Sequence, residues 1–428
     1  MPVSQKCIAG TDPKLIPGKP PVTVRVSLFF DGTLNNRTNT GLRVTKKATA
    51  SQLESTSFLN DYSNVAKLEW ALKPAIPGYD FSQKIYVEGI GTDDGNTDSL
   101  AAGASTGTGD TGIVAKVDRG LQAAIDSIQL LVASDVPITY IHLDSFGFSR
   151  GAAGARHFVN KALKGKTALK TRLEASGYTV GSVKFRFTGL FDTVASYGAK
   201  HSNDTSELNL DAIVAVDKVV QLAAAEEHRV NFRLTNINSA GAKGKQFFLP
   251  GVHSDIGGGY VDMEGDSVQL LDIDSVGWNS KEQKAAIARE RQWAVAQGWY
   301  HTDKLAETTT WNEIDANRPM IRNTYLRIPL QMMAKFATEL GLVFGPDLQK
   351  KYWIPPDLSK VNAFLESYVA GGGTSKSSDW FHKVTPMLFS LRHSYLHFSA
   401  TYGDIANAPQ WSNGDPITGT RERIIQNG

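Results

Sequence analysis

"HLDSFGFSRGAAGAR", His142 to Arg156, sets a serine between two glycines at the end of an apolar run and follows it with the small residues of a helix start. A serine held out on a sharp strand-to-helix turn needs neighbours two places away that are nearly bare, because strand and helix crowd them there. Gly147 and Gly151 meet that need around Ser149, and Ala152, Ala153 and Gly154 carry the relief into the first helical turn. In a chain with 39 glycines the G-x-S-x-G spacing alone says little. Its place between a strand pattern and a helix pattern is what gives it chemical content. Ser149 is the candidate nucleophile.

The strand leading into this turn, "PITYIHLDSF", is one of five strand patterns. The others are "VTVRVSLFF" (Val22 to Phe30), "KIYVEGIG" (Lys84 to Gly91), "VKFRFTGLF" (Val183 to Phe191) and "QFFLPGV" (Gln246 to Val252). Between the second and third, Ile113, Val117, Leu121, Ile125, Ile128 and Leu131 recur at three and four residues, one face of an amphipathic helix. "NDYSNVAKLEWAL" also reads as helix, and "DAIVAVDKVVQLAAAEEHRVNF" (Asp211 to Phe232) predicts a long one. Strands alternating with crossover helices predict an α/β domain over residues 22–260, its mostly parallel sheet covered by helices on both faces. Residues 1–21 read as an extended, Pro-rich lead-in. Residues 261–428 predict a mainly helical cap or C-terminal region packed on that core, through segments such as "KEQKAAIARERQWAVAQGWY" and "LQMMAKFATELGLVF". Seven of the eight tryptophans fall in it, which suits either buried anchors or an apolar lid.

Composition narrows the function classes. With 428 residues and 41% hydrophobic content the chain can bury a large core, while 45 basic against 43 acidic residues, with no basic stripe, argue against a nucleic-acid partner. The single cysteine, Cys7, excludes an internal disulfide and a thiolate metal cluster and suits a reducing compartment. No signal-peptide h-region and no run of apolar residues long enough to span a bilayer is visible, so the chain is expected to be made in the cytoplasm and to leave it, if at all, by a dedicated route.

A serine hydroxyl needs a histidine to take its proton and a carboxylate to fix that histidine's tautomer, here in the chain order serine, acid, histidine. Asp192 in "FTGLFDTVASYG" closes a predicted strand, and His253 in "FFLPGVHSDIGGGY" follows another and precedes a Gly-rich turn. Asp255 is the rival acid, read as supporting the site or capping the turn. His397 in "LRHSYLHFSATYG" is the alternative base. His142 and His393 read as structural, and Asp144 as a support for the serine turn. The developing oxyanion needs two N–H donors. One is expected from Arg150 and the other from Gly32 or Thr33 in "FFDGTLNN", where Asp31 orders the loop. The chemistry calls for no metal and no cofactor.

Two further stretches carry weaker signals. "FFDGTL" resembles the D-x-D-G-T loop of haloacid-dehalogenase-type phosphatases, but Phe29 stands where the attacking aspartate is required. In "GTDDGNTDS" Asp94, Asn96 and Asp98 alternate as calcium ligands do, yet the glycine and glutamate of an EF-hand are missing, so a polar surface loop is expected.

Taken in order, "FFDGTLNN", "YVEGIGT", "GFSRGAAGAR", "GLFDTVASYG", "AAAEEHRVNF" and "PGVHSDIGGGY", spanning about residues 22–260, resemble the α/β-hydrolase catalytic domain of bacterial type VI secretion lipase effectors. Beyond residue 260 only "YLHFSA" adds to the likeness. The resemblance implies a phospholipase A type serine esterase acting on a phospholipid membrane. It also implies delivery by a type VI spike or adaptor protein into the periplasm or membrane of a neighbouring cell, and a cognate immunity protein. Ser149, Asp192 and His253 fall on the family's triad blocks. Where many relatives carry Asp-Glu-Arg in a helix after the acid, this chain has Glu226, Glu227, His228 and Arg229. Two other readings stay open: a small-ester or thioester hydrolase with no membrane role, and a catalytically silent binding or structural subunit of a secretion apparatus.

Overall fold

Alternation along β1 (Val22–Phe30) sorts its side chains between two faces: Val24, Val26, Leu28 and Phe30 join one apolar cluster, while Phe29 joins another beside Arg25 and Ser27. The structure, a computed structural model, describes residues 19–198, 203–273, 280–308, 313–373, 376–377, 380, 383–404 and 407–428. Most of the expected lead-in, with Cys7, and both Trp278 and Trp311 lie outside the described residues.

Five further strands line up with β1: β2 (Phe81–Val87), β3 (Ile138–Phe148), β4 (Val180–Phe191), β5 (Lys218–Ala224) and, after the two-residue β6 (Leu234–Thr235), β7 (Gly244–Leu249). They form one sheet in the order β2-β1-β3-β4-β5-β7, every pair parallel. The α/β class and the parallel sheet expected from the sequence are what the chain builds. From β1 the chain runs first to one edge, through β2, and then returns through β3 to the other. The reversal opens a crevice beyond the carboxyl ends of β1 and β3, the place where open α/β sheets bind ligands.

One face of the sheet is covered by the amphipathic helix Ile113–Leu131 and the helix Arg150–Leu163. The other is covered by Asn64–Ala71 and by Arg327–Thr338, which packs on β4 and β5. Residues from beyond 260 therefore supply part of a layer of the sandwich itself. Across the same face Asp144 on β3 takes a bidentate pair from Arg25, at 2.8 and 2.9 Å, and a bond from Ser27 at 2.8 Å, so it ties β3 to β1 at mid-sheet and not at the serine turn.

The long helix predicted over Asp211 to Phe232 is not there. Its span instead holds a 3-10 turn, Leu210–Ala215, then β5, then a buried loop carrying Glu226 to Arg229. A strand buried on both faces is apolar without alternation, and over so few residues it cannot be told from a buried helix by periodicity. Beyond residue 260 the helices Lys281–Ala296, Arg327–Thr338 and Ser359–Ala370 are joined by an unexpected antiparallel sheet of β8 (Glu264–Asp272), β9 (Leu305–Thr308) and β10 (Glu313–Ile321), in the order β8-β10-β9. Pro319 and two register shifts break the β10 pattern. Trp299, Trp380 and Trp411 are buried and Trp353 is half exposed, so these aromatic residues serve mainly as anchors. The chain ends by laying β11 (Ile425–Gln426) parallel to β6.

Candidate active site

β3 and β4 end in register, Phe148 opposite Phe191, so Ser149 and Asp192 leave adjacent strands side by side at the carboxyl edge of the sheet. Ser149 sits at φ 59°, a left-handed backbone that costs a non-glycine residue about 1–3 kcal/mol and marks a turn held by its surroundings. Those surroundings are visible. A Cβ at Gly151 would lie 2.2 Å from the Asp31 carbonyl oxygen, and one at Gly147 would lie 2.4 Å from the Gly151 carbonyl oxygen. Both glycines are required by close backbone approach. The Ser149 N–H donates to the Phe191 carbonyl at 3.0 Å, which fastens the turn to β4.

Asp192 also has a positive φ, 48°, and is fully buried. Its Oδ2 accepts from His253 Nδ1 at 2.5 Å, its Oδ1 accepts the Ala224 N–H at 2.7 Å, and the Arg423 guanidinium bridges both oxygens at 2.8 and 2.9 Å. Burial pushes the Asp192 pKa up, but Arg423 and His253 outweigh it and hold the carboxyl below its usual value. His253 opens the short helix His253–Gly257 directly after β7, its ring set between Phe148 at 4.6 Å and Phe232 at 5.0 Å. Burial, the largest influence, lowers its pKa against the pull of Asp192, which leaves a neutral imidazole at neutral pH.

Ser149 and His253 open onto one cavity of about 680 Å³, whose walls include Leu34, Leu100, Phe148, Val194 and Phe232 as well as Thr33, Arg150 and Arg229. The three residues expected to work together are thus brought together. The donors for an oxyanion need one correction. The Gly32 N–H already donates to Asp31 Oδ1 at 2.7 Å, so Gly32 is not a free donor. Thr33 and Arg150 line the cavity, and their amide N–H groups have no protein acceptor among the described residues. Asp31, raised in pKa by burial, also accepts from Tyr86 at 2.6 Å and orders the loop after β1.

His397 does not line the cavity and is no alternative base in this geometry. Its Nδ1 bonds Asp255 Oδ1 at 2.8 Å, its ring stacks on Tyr260 at 3.7 Å, and its Nε2 has no partner. Asp255 also accepts the Val252 N–H at 3.0 Å, capping the helix that carries His253. His142 bonds Tyr79 at 2.7 Å, and burial lowers its pKa to about 4. The loop with Asp94, Asn96 and Asp98 is tied to its neighbours, Asp98 accepting the Ser57 N–H at 2.9 Å. No cluster of three or more metal-ligating side chains occurs among the described residues.

The charged block after β5 proves to be a set of buried anchors. Glu226 pairs with Arg392 at 2.6 Å. Glu227 takes Arg229 and, at 3.2 Å, the His253 N–H. His228 meets Arg421 at 2.7 Å. Arg392, Arg421 and above all Arg423 escaped the sequence reading. Arg423 lies 231 residues after Asp192, and no local signal sets it apart from a solvated arginine.

Residues 159–282 match the family model described as type VI secretion system, phospholipase effector Tle1-like, catalytic domain, a segment that holds Asp192 and His253 and begins after Ser149. Among solved structures the chain is similar to the Tle1 effector bound to the VgrG spike from the type 6 secretion system, with 21% identity and a TM-score of 0.65 over 100% of this chain and 99% of that one. An uncharacterized protein from Pseudomonas aeruginosa shares 16% identity, with a TM-score of 0.43 over 84% of this chain and 52% of that one. No curated protein matches the chain. In sequence across residues 159–282 and in fold along its length, the chain is similar to the Tle1-like phospholipase effectors of type VI secretion, the family its six ordered blocks resemble.

Proposed function

We propose that this protein is a serine esterase that cleaves acyl esters of glycerophospholipids, a phospholipase A delivered by type VI secretion. The observation that carries the reading is the bond from His253 Nδ1 to Asp192 Oδ2, in a pair whose imidazole shares a cavity wall with a serine on a left-handed turn. His253 Nε2 takes the Ser149 proton as Oγ attacks the ester carbonyl, and Asp192 holds the tautomer and stabilises the imidazolium that forms. The N–H groups of Arg150 and Thr33 receive the developing oxyanion. His253 then passes its proton to the leaving alcohol, and water, activated by the same ring, releases the fatty acid. The apolar wall of Leu34, Leu100, Phe148 and Phe232 receives the acyl chain.

In this reading residues 22–260 form the catalytic core and residues 261–428 pack on it, supplying Arg423 to the acid. A VgrG-type spike protein is the carrier, by analogy with the similar effector seen on such a spike. A cognate immunity protein protects the producer, and the target is the membrane of a neighbouring cell. No helix among the described residues is long and apolar enough to cross a membrane. The test is fatty-acid release from phospholipid micelles by the purified chain beside its Ser149→Ala variant. Release by the former and none by the latter supports the proposal, and equal release by both ends it.

A further inference from the structure

We propose that the Arg150 side chain binds the phosphate ester of the headgroup and so makes the site choose glycerophospholipids over uncharged esters. The inference rests on the esterase reading above and adds a recognition element to it. Most buried arginines of this chain are neutralised: Arg25 by Asp144, Arg318 by Asp266, Arg392 by Glu226, Arg421 by Glu290 and Arg423 by Asp192. Arg150 is only 8% exposed, yet no carboxylate lies within ion-pair distance of it among the described residues. Its guanidinium donates to neutral acceptors alone: Nε to Thr33 Oγ1 at 2.8 Å, Nη1 to the Ser105 carbonyl at 3.4 Å, and Nη2 to the Ala104 carbonyl. A guanidinium has five N–H groups, so donors are left over. Arg156 also lacks an acid partner, but it is fully buried away from the cavity, whereas Arg150 lines the cavity beside Ser149 and His253.

An uncompensated cation in such a place costs folding free energy, which a bound anion would offset. Burial lowers the Arg150 pKa to about 10, so the charge persists at neutral pH. Position points to the ligand. Arg150 is the residue after the nucleophile and the first of a 14-residue helix, whose dipole adds attraction for negative charge. In a glycerophospholipid the phosphorus lies about five bonds, roughly 6 Å, from an acyl carbonyl carbon, a distance an arginine side chain rooted next to the serine spans. A headgroup phosphate oxygen accepting the spare Nη donors would seat the scissile ester over Ser149.

A purely structural role, clamping the Thr33 loop to residues 104–105, predicts a different result, and a ratio separates the two. Phosphatidylethanolamine and diacylglycerol with the same acyl chains are hydrolysed in the same neutral detergent micelles by the full chain, by Arg150→Met and by Arg150→Lys. Misfolded protein lowers both rates alike and leaves the ratio of kcat/KM values unmoved. The expected result is a roughly 10- to 100-fold fall in the phospholipid-to-diacylglycerol ratio for Arg150→Met, with much of it restored by Arg150→Lys. An unchanged ratio overturns the proposal. A second arm measures inhibition of p-nitrophenyl butyrate hydrolysis by glycerophosphoethanolamine and by inorganic phosphate. Glycerophosphoethanolamine is expected to inhibit the unaltered chain more strongly and to lose roughly 10- to 100-fold in potency on Arg150→Met. Absent or Arg150-independent inhibition overturns the assignment, and equal potency of inorganic phosphate overturns its headgroup part. Should the chain cleave the butyrate ester but no phospholipid, the function proposed above fails and this second arm alone decides the role of Arg150.

Discussion

Two carboxylate–imidazole pairs lie close together in this molecule, and at first sight they are the same device. Asp192 bonds His253 Nδ1 at 2.5 Å and Asp255 bonds His397 Nδ1 at 2.8 Å. All four residues are buried, and Asp255 sits two residues after His253 on one short helix. They differ in what the far ring nitrogen meets. The His253 ring is part of the cavity wall with Ser149, whereas the His397 ring is stacked flat on Tyr260 with an unpartnered Nε2. They differ also in charge: Arg423 bridges Asp192, while the further bonds to Asp255 come from backbone N–H groups. An acid beside a histidine is therefore a packing solution as readily as a catalytic one. A ring set in the cavity wall, as against one stacked away from it, is what separates them.

The comparison breaks most visibly at the bases. His253→Ala is expected to lower kcat on a soluble p-nitrophenyl ester by roughly 10⁴- to 10⁶-fold, the range found when a triad base is removed, and His397→Ala by less than about 10-fold. Comparable losses from both would mean that the two pairs share the chemistry. At the acids, Asp192→Asn is expected to cost on the order of 10⁴-fold in kcat, because an amide favours the wrong tautomer. Asp255→Asn should instead cost about 1–3 kcal/mol of stability in urea titrations, with activity per folded molecule retained.

Arg423 sharpens the contrast next. Removing one partner of a buried ion pair costs about 3–5 kcal/mol, so Arg423→Gln should destabilise the chain by that order, measured by chemical denaturation. The sign of its pH dependence follows from Asp192. The folded-state pKa of Asp192 is depressed, so the stability it contributes is present above the ordinary carboxylate value and lost as pH falls through the folded value. Without Arg423 the folded pKa rises toward the ordinary value, and the acid-unfolding midpoint of Arg423→Gln should shift to higher pH. An unmoved midpoint would show that His253 and the Ala224 N–H alone hold the charge.

What could be read beforehand, and what could not, follows the range of the interactions. Ser149, Asp192 and His253 each close or follow a strand pattern, and a parallel sheet delivers such residues to one edge, so short-range signals were sufficient. Ser149 is the clearest, because close backbone approach demands both its glycines, Gly147 against the Gly151 carbonyl within the motif and Gly151 against Asp31 just past β1. β5 reads as helix in the sequence because a short strand buried on both faces has no alternation to show. β8 to β10 show no clean strand pattern, β10 being interrupted by Pro319 and two register shifts. The arginines that neutralise Asp192, Glu226 and Glu290 were invisible, since pairings 231, 166 and 131 residues apart leave no trace in local composition. His397 reads as a possible base from its place late in the chain, and its position outside the cavity, stacked on Tyr260, removes it.

The smallest effect tests the structural pair alone. In His397→Phe the ring that stacks on Tyr260 is kept, the 2.8 Å bond to Asp255 is lost, and the orphaned Nε2 disappears with it. A hydrogen bond to a charged group and an unsatisfied buried polar atom are each worth about 1–3 kcal/mol and act here in opposite directions, so the net change in stability should stay within about 1 kcal/mol. The Val252 N–H and the backbone N–H of residue 397 still reach Asp255, so the helix that presents His253 should keep its cap. Thermal denaturation and ester turnover, measured on the same preparation, check this. A loss of turnover without a loss of stability would show that the second pair positions His253 after all, and that the two pairs form one coupled device.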